Sequence, residues 1–246
     1  MHNKELKYVP GTYRKKRPDA YTVANKYTGK WEQQLRKKDE AFPAKMSSTI
    51  CFSREIGVGA LEIADLLAEK IGYRVADREI LDCIAKDKKL SKRCVDFFDE
   101  RYPGKTSELS SMLFKKKSFL MSDYVRYLFS AVFSIAGSGP TIFVGRGVHL
   151  IMPRHWVLAV RFISSKNYRV KRLAGILNVK EKSAERILNK SDREQKEFFK
   201  KAFDKAEASP YEFDMVINCD HIKEPKWAAE IVARAYKKKF NVDAHA

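Results

Sequence analysis

The chain has 246 residues, enough to bury a full core, and its 44% hydrophobic and 12% aromatic content excludes a disordered polymer. A formal charge of +18 attracts anions in general (nucleotides, nucleic acid, acidic partners) without choosing among them. Cys51, Cys83, Cys94 and Cys219 form no C-x-x-C pair and no Cys/His zinc spacing, which sets aside a disulfide scaffold and a zinc module.

Residues 1–47 lack a hydrophobic period and hold 12 basic against 5 acidic side chains, while the other 199 residues hold 37 against 26. They read as a basic, flexible N-terminal arm with a short helix near residues 30–40. Tyr8, Tyr13, Tyr21, Tyr27 and Trp31 are interleaved with the charge, a mixture that stacks on bases and neutralises phosphates in single-strand binders. The same aromatics would equally hold an extension wrapped around the domain. A nucleic acid or an acidic partner is therefore a candidate ligand of the arm. No signal peptide pattern opens the chain, so a cytoplasmic setting is expected. The longest apolar run, residues 127–136, is too short to span a bilayer, and no membrane partner is expected.

The stretch from Ser48 to Leu67 reads as a short buried strand, a glycine-containing turn at Gly57 and Gly59, and an amphipathic helix. In that layout a helix N-terminus presents backbone N–H groups to a phosphate. Gly72 ends the helix, and residues 73–76 form a strand. Asp77 caps a helix through Ala85. A further helix covers residues 91–100, a loop follows from Tyr102 to Ser111, Lys115 to Lys117 form a solvated turn, and a long helix spans residues 119–136. Strands follow at 141–144, 157–163 and 215–219. A long charged helical region lies between the last two. The final helix, 226–238, is expected to bury Trp227, Ile231, Val232 and Ala235. Apolar strands alternating with helices predict a parallel sheet of about five strands covered on both faces, a three-layer α/β fold.

Ligands of such sheets bind outside the carboxyl ends of the strands. Those ends carry Arg54 and Gly57, Asp77 and Arg78, Gly145 and Arg146, and Ser164 and Ser165. Arginine forks bind phosphate oxygens bidentately. Arg146 reads either as a phosphate ligand or as a salt-bridge partner, and Asp77 either as a ligand or as a helix cap. His149 and His221 have no acid or thiol partner at triad spacing. Glu181, Glu185, Asp192 and Glu194 sit among lysines at helical spacing and read as a solvated ion-pair face.

The run Ile50-x-x-Ser53-Arg54-Glu55-Ile56-Gly57-Val58-Gly59-x-x-Glu62-Ile63-Ala64, then Gly72-Tyr73-x-x-x-Asp77-Arg78-Glu79-Ile80-Leu81, closely resembles the cytidylate kinase-like family, a divergent branch of the P-loop nucleoside monophosphate kinases. Gly145-Arg146-Gly147, Arg169-Val170-x-Arg172, Asp192-Arg193 and Phe213-Asp214-Met215-Val216-Ile217-Asn218 continue the match in order. The resemblance implies strand order 2-3-1-4-5 in a domain over 48–240. An acceptor-binding region would lie at about 77–136 and a mobile lid at about 178–208. ATP phosphates would rest on Ser53, Arg54, Gly57, Val58, Gly59 and Ala60. The acceptor nucleotide would sit over Asp77, Arg78 and Arg146. Arg54, Arg146, Arg169, Arg172 and Arg193 would be catalytic by positioning and charge neutralisation.

The departures from the pattern bear on activity. Aligned on G-x-x-x-x-G-K-[ST], the chain has Arg54, Gly59, Ala60 and Leu61, so the lysine and the metal-binding hydroxyl are missing. Val144 stands in place of a second acid for Mg²⁺, and Gln195 stands where the family often has another arginine. The expectation is an ATP-dependent kinase that transfers the γ-phosphoryl group to a nucleoside monophosphate, CMP by analogy. Mg²⁺ belongs to that chemistry in the family, but its usual ligands are absent here. One alternative is a catalytically silent nucleotide sensor or scaffold. The other is a nucleic-acid binder that uses the arm.

Overall fold

The computed structural model describes residues 8–36, 47–101 and 123–242. Its strands are β1 (Thr49–Arg54), β2 (Arg74–Asp77), β3 (Thr141–Val144), β4 (Val157–Ile163) and β5 (Met215–Asn218). They form a parallel sheet in the order β2-β3-β1-β4-β5, the order implied by the resemblance. Alternation along each strand splits the core in two. Cys51, Ala76, Phe143 and Ala159 face one side, and Ile50, Phe52, Ile142 and Val160 face the other.

The first face is covered by α1 (Ala20–Arg36), α3 (Arg78–Lys86), α4 (Lys88–Arg101) and α5 (Asp123–Gly137). The second is covered by α2 (Ala60–Ile71) and α9 (Pro225–Phe240). A short helix, α6 (Val148–Ile151), follows β3. Between β4 and β5 the chain folds into α7 (Lys166–Leu177) and α8 (Glu181–Phe203), which the sequence leaves as one charged region. Asn178 divides them by taking a left-handed conformation, φ 52°, as the C-cap of α7. Val170, Leu173, Ala184 and Leu188 of this hairpin close a third apolar cluster around Ile56.

Local chemistry sets the element ends near the sheet's carboxyl edge. Asp77 accepts hydrogen bonds from the backbone N–H groups of Glu79 (3.0 Å) and Ile80 (3.1 Å), so the cap reading of this residue holds. Ser165 caps α7, and Asp220 accepts from Ser164 Oγ, Ser165 N and Ser165 Oγ at 2.7–3.0 Å. No helix among the described residues is long and apolar enough to cross a membrane.

Two expectations are corrected. In α9 the buried series is Ala228, Ala229, Val232, Ala233 and Tyr236, while Trp227 is 56% exposed and Ile231 39% exposed. Small side chains let the helix lie close against α2, and an indole at that contact would hold the two apart. The described part of the first 47 residues is also no free arm. Its helix starts ten residues earlier than expected and is packed into the core, with Trp31 stacked on Phe97 (ring centroids 5.4 Å) and beside Tyr27 (6.3 Å). These faces are therefore not available to stack on bases. The loop expected over 102–111, the lysine turn at 115–117 and the first residues of the helix expected over 119–136 lie outside the described residues.

Because Trp31 is fully buried, Trp31→Ala is expected to lower the stability of the whole chain by about 3–5 kcal/mol. Urea unfolding followed by far-UV circular dichroism measures it, and an unchanged midpoint would mean that α1 is not part of the cooperative unit.

Candidate functional site

The turn from β1 into α2 forms the first wall of the site. Gly57 (φ 85°) and Gly59 (φ 94°) adopt backbone angles that side chains disfavour, and Gly59 occupies the N-cap of α2 without a side-chain hydrogen bond. The N–H groups of the first turn of α2 therefore face the mouth of the loop. That mouth is filled by the protein itself. A Cβ on Gly59 would lie 3.1 Å from the Arg172 guanidinium, which donates to Glu62 Oε2 at 2.6 Å. Tyr8, Pro10, Gly11 and Thr12 close the remaining side and leave about 10 Å³, no more than one water requires. Ala60, Leu61 and Val58 are buried in the core beneath.

The same N-terminal segment is fastened along α2. Tyr13 Oη and Arg17 Nη1 both donate to Asp65, and Lys15 pairs with Glu69 at 2.7 Å. Burial, with the Asp65 contact next, holds the Tyr13 phenol well above its ordinary range. Arg17 Nη2 also lies 3.7 Å from Asp77. Of the residues expected to serve donor and acceptor, Gly59 thus has the Arg172 guanidinium packed against it and Asp77 carries intramolecular partners.

The second wall is a cluster of guanidinium groups over the ends of β1, β2 and β3. Arg54 is only 7% exposed, and its Nη1 donates to Gln195 Oε1 at 2.7 Å while Gln195 Nε2 donates back to the Arg54 carbonyl at 3.1 Å. A Cβ on Gly145 would lie 3.7 Å from Arg54 Nη2 and 3.9 Å from Arg78 Cβ, so the side chains of Arg54 and Arg78 meet at this turn. Burial, and then the fields of Arg78 and Arg146, push the Arg54 guanidinium down to about 10. Arg146 takes φ 53° between two left-handed glycines and makes a bidentate pair with Asp82. Its guanidinium lies 4.2 Å from the centre of the Phe198 ring. Asp82 also accepts from Tyr124 Oη at 2.6 Å and lies 3.7 Å from Arg78 and 3.6 Å from Lys86. Burial opposes its ionisation, yet Arg146 holds its carboxyl below the usual range. About 20 Å³ remains among Arg54, Arg78, Arg146 and the α8 side chains Gln195, Phe198 and Phe199.

Helix α8 thus lies across the sheet edge in a closed position. A Cβ on Gly147 would come 2.5 Å from the Phe203 ring, so the end of α8 can seat only on a glycine. Arg169 ties α8 to the loop through Asp192 (2.9 Å) and the Ile56 carbonyl (3.2 Å). Arg193 is exposed at the rim of a separate cavity of about 590 Å³. Ser53 is buried and accepts from Arg161 Nη1 at 3.0 Å, on the sheet face away from α2.

The family's usual side-chain ligands for Mg²⁺ are absent at their two positions. Leu61 and Val144 are buried apolar side chains at the positions where a hydroxyl and an acid would stand. Among the described residues no group of three His, Cys, Asp or Glu could hold a metal ion.

Several partners were not legible in advance. Asp82, Glu62 and the Tyr13–Arg17 segment engage residues 48 to 110 positions away, and Asp192 pairs with Arg169 instead of lying on a solvated face. Arg161 did carry a signal, as the lone charge in the apolar run of β4. His149 also gains a partner that spacing concealed, since its Nε2 lies 3.4 Å from Glu212 Oε2.

Residues 49–221 match the sequence profile of the cytidylate kinase-like family. No curated protein matches the sequence. Among solved structures, the fold is similar to that of an uncharacterized protein from Eubacterium ventriosum, at 20% identity and a TM-score of 0.61 over 79% of this chain and 99% of that one. Shikimate kinase from Bacteroides thetaiotaomicron aligns at 14% identity and a TM-score of 0.39, over 80% of this chain and 99% of that one. A gluconokinase from Sinorhizobium meliloti aligns at 12% identity and a TM-score of 0.39, over 78% and 96% respectively.

Burial pushes the His149 imidazole down to about 4 against the pull of Glu212. An unfolded histidine binds a proton below about 6.5, whereas the folded one resists until about 4. Stability is therefore expected to fall as pH drops from about 6.5 to about 4, by up to about 1.4 kcal/mol per pH unit. Urea midpoints at pH 7.5 and pH 5 measure it. His149→Phe should flatten that part of the profile, and an unaltered slope would place the proton uptake elsewhere.

Proposed function

The chain belongs to the cytidylate kinase-like family, and from that premise we propose that it is a phosphotransferase that moves the ATP γ-phosphoryl group to a nucleoside monophosphate, with CMP as the acceptor by analogy. The observation that carries the reading is the meeting of Arg54, Arg78 and Arg146 at the ends of three neighbouring strands, where Asp82 pairs with Arg146 and Arg78 but not with Arg54. Buried like charges repel strongly in a medium of low dielectric. A phosphate dianion among them relieves that repulsion and accepts their N–H groups bidentately.

In this reading the acceptor phosphate enters between Arg54, Arg78 and Arg146. The donor phosphates lie on the amides of Gly57 to Ala60. Arg169 and Arg172 on the α7–α8 lid face the transferring group, and Arg193 joins them only by swinging in from the rim of the separate cavity. In-line transfer needs no covalent protein intermediate, and a closed lid keeps water from competing as acceptor. The arginines carry the charge neutralisation contributed by the protein, and any Mg²⁺ would be held chiefly by the nucleotide phosphates. Two movements must precede binding. Arg172 leaves Glu62, and residues 8–13 lift from the loop.

A second reading, a nucleotide-binding sensor without turnover, is favoured by one observation. Apolar Ala60 and Leu61 are buried in the core, and the Glu62 carboxylate adds negative charge at the loop mouth.

With ATP and a panel of nucleoside monophosphates, the full chain is expected to form ADP, and Arg54→Ala or Arg146→Ala should each reduce the rate about 10²–10³-fold. Nucleotide binding without ADP formation would install the sensor reading in its place. No binding of any nucleotide would remove both.

The N-terminal segment gives an independent test. The double variant Tyr13→Phe/Arg17→Ala removes both donors to Asp65 while keeping the whole chain. Its affinity for ATP is expected to rise about 5–30-fold, the factor that corresponds to 1–2 kcal/mol. Calorimetry that finds equal affinity would show that the segment does not compete with nucleotide.

A further inference from the structure

A large cavity among the described residues adjoins the arginine cluster through Gln195 and Phe199 and the glycine loop through Arg169, but opens on the far side of them. About 590 Å³ is enclosed between the end of β4, one side of α8 and the returning residues 206–208. That volume is within the range of small-molecule sites, about 300–1,000 Å³. None of Gly57 to Leu61 lines it, nor do Arg78 and Arg146.

At its floor is Arg161, the one charged residue of β4. A guanidinium carries five N–H donors. The neutral hydroxyl of Ser53 accepts one of them at 3.0 Å, and the Phe213 ring centre lies 5.7 Å from its carbon. Among the described residues Arg161 forms no ion pair, while most other arginines near the site do. Burial lowers its affinity for its proton, against the more distant pull of Glu55 and Glu212. Arg169 is about nine-tenths buried, and its Nε has no hydrogen-bond partner, with Glu55 Oε2 at 3.6 Å.

Two of the carboxylates on this cavity are committed to groups other than Arg161. Asp192 is committed to Arg169 Nη1, and Glu55 accepts from the Ser164 N–H at 3.0 Å. Glu207 is exposed near the rim, where Arg193 and Lys196 are also exposed. Phe199 supplies an aromatic flank.

We propose that this cavity is a second anion-binding site, which takes a small phosphate ester through Arg161, with the ester's organic part against Phe199. The site goes beyond the phosphotransferase reading, because it binds its ligand whether or not the glycine loop turns over. Its walls come from both the sheet and α8, so an occupant holds α8 in the closed position.

The test uses the full chain with two phosphate esters, ribose 5-phosphate and CMP, followed by calorimetry. At least one is expected to bind, with affinity at least tenfold weaker in Arg161→Met and partly restored in Arg161→Lys. Phenylglyoxal modification of the unaltered protein, read by mass spectrometry, gives a measurement that does not depend on a variant folding. Saturating ester should protect Arg161 at least fivefold. Equal binding by the Arg161→Met variant, or modification of Arg161 that the esters leave unchanged, overturns the proposal. Binding lost in Arg146→Ala but kept in Arg161→Met would assign the ester to the arginine cluster, which overturns this site and leaves the phosphotransferase reading in place.

Discussion

The structure is governed by the cost of holding Arg54 inside the protein. This guanidinium sits at the end of the central strand, where every ligand of the sheet edge would have to pass. It faces Arg78 and Arg146, and its own close side-chain partner is the neutral amide of Gln195. An amide satisfies hydrogen bonds but cancels no charge. The carboxylate whose field reaches it is that of Asp77, while Asp82 is shared by Arg146, Arg78 and Lys86. Where the family often carries another arginine, a glutamine lets α8 lie down on Arg54 in the absence of an anion. A fourth cation there would push the helix away until a phosphate arrived.

The α7–α8 hairpin is connected to the glycine loop through packing as well as charge. Ile56 lies between the two glycines' turn and the α7–α8 hairpin, and its side chain is the centre of the cluster that the hairpin closes. Arg169 binds the Ile56 carbonyl from above, so loop and lid share one backbone group. Residues 8–17 add a third layer over the same loop. Arg169 and Arg172 of the hairpin are held by Asp192 and Glu62, and Arg17 of the N-terminal layer by Asp65.

The sheet and its covering helices were legible because their signals are local. Five apolar runs, Asp77 ahead of Glu79 and Ile80, and Gly72 after Ile71 each act within a few residues. The site was legible to the extent that strand ends are legible, which brought Arg54, Arg78 and Arg146 together. Their partners were not. Asp82 meets Arg146 across 64 residues, and no helical or strand period encodes that distance. In α9 two helical series compete, one through Trp227 and Ile231 and one through Ala228, Val232 and Tyr236. Periodicity favours both, and the close approach of α2 decides for the smaller side chains. The N-terminal segment escaped for the opposite reason, since charge density suggested solvent while Trp31 and Tyr13 were already committed to the body of the protein.

The contact between Gly147 and Phe203 has a mechanical meaning. Helix α8 has 23 residues and is about 35 Å long at 1.5 Å per residue. Its last aromatic ring rests where a single methyl group would not fit, which makes that point a fulcrum. By simple geometry, a rocking of about 10° there carries the opposite end through about 6 Å, using the same rise per residue. The missing side chain of one residue in the β3 turn therefore sets the resting angle of the longest lever in the molecule.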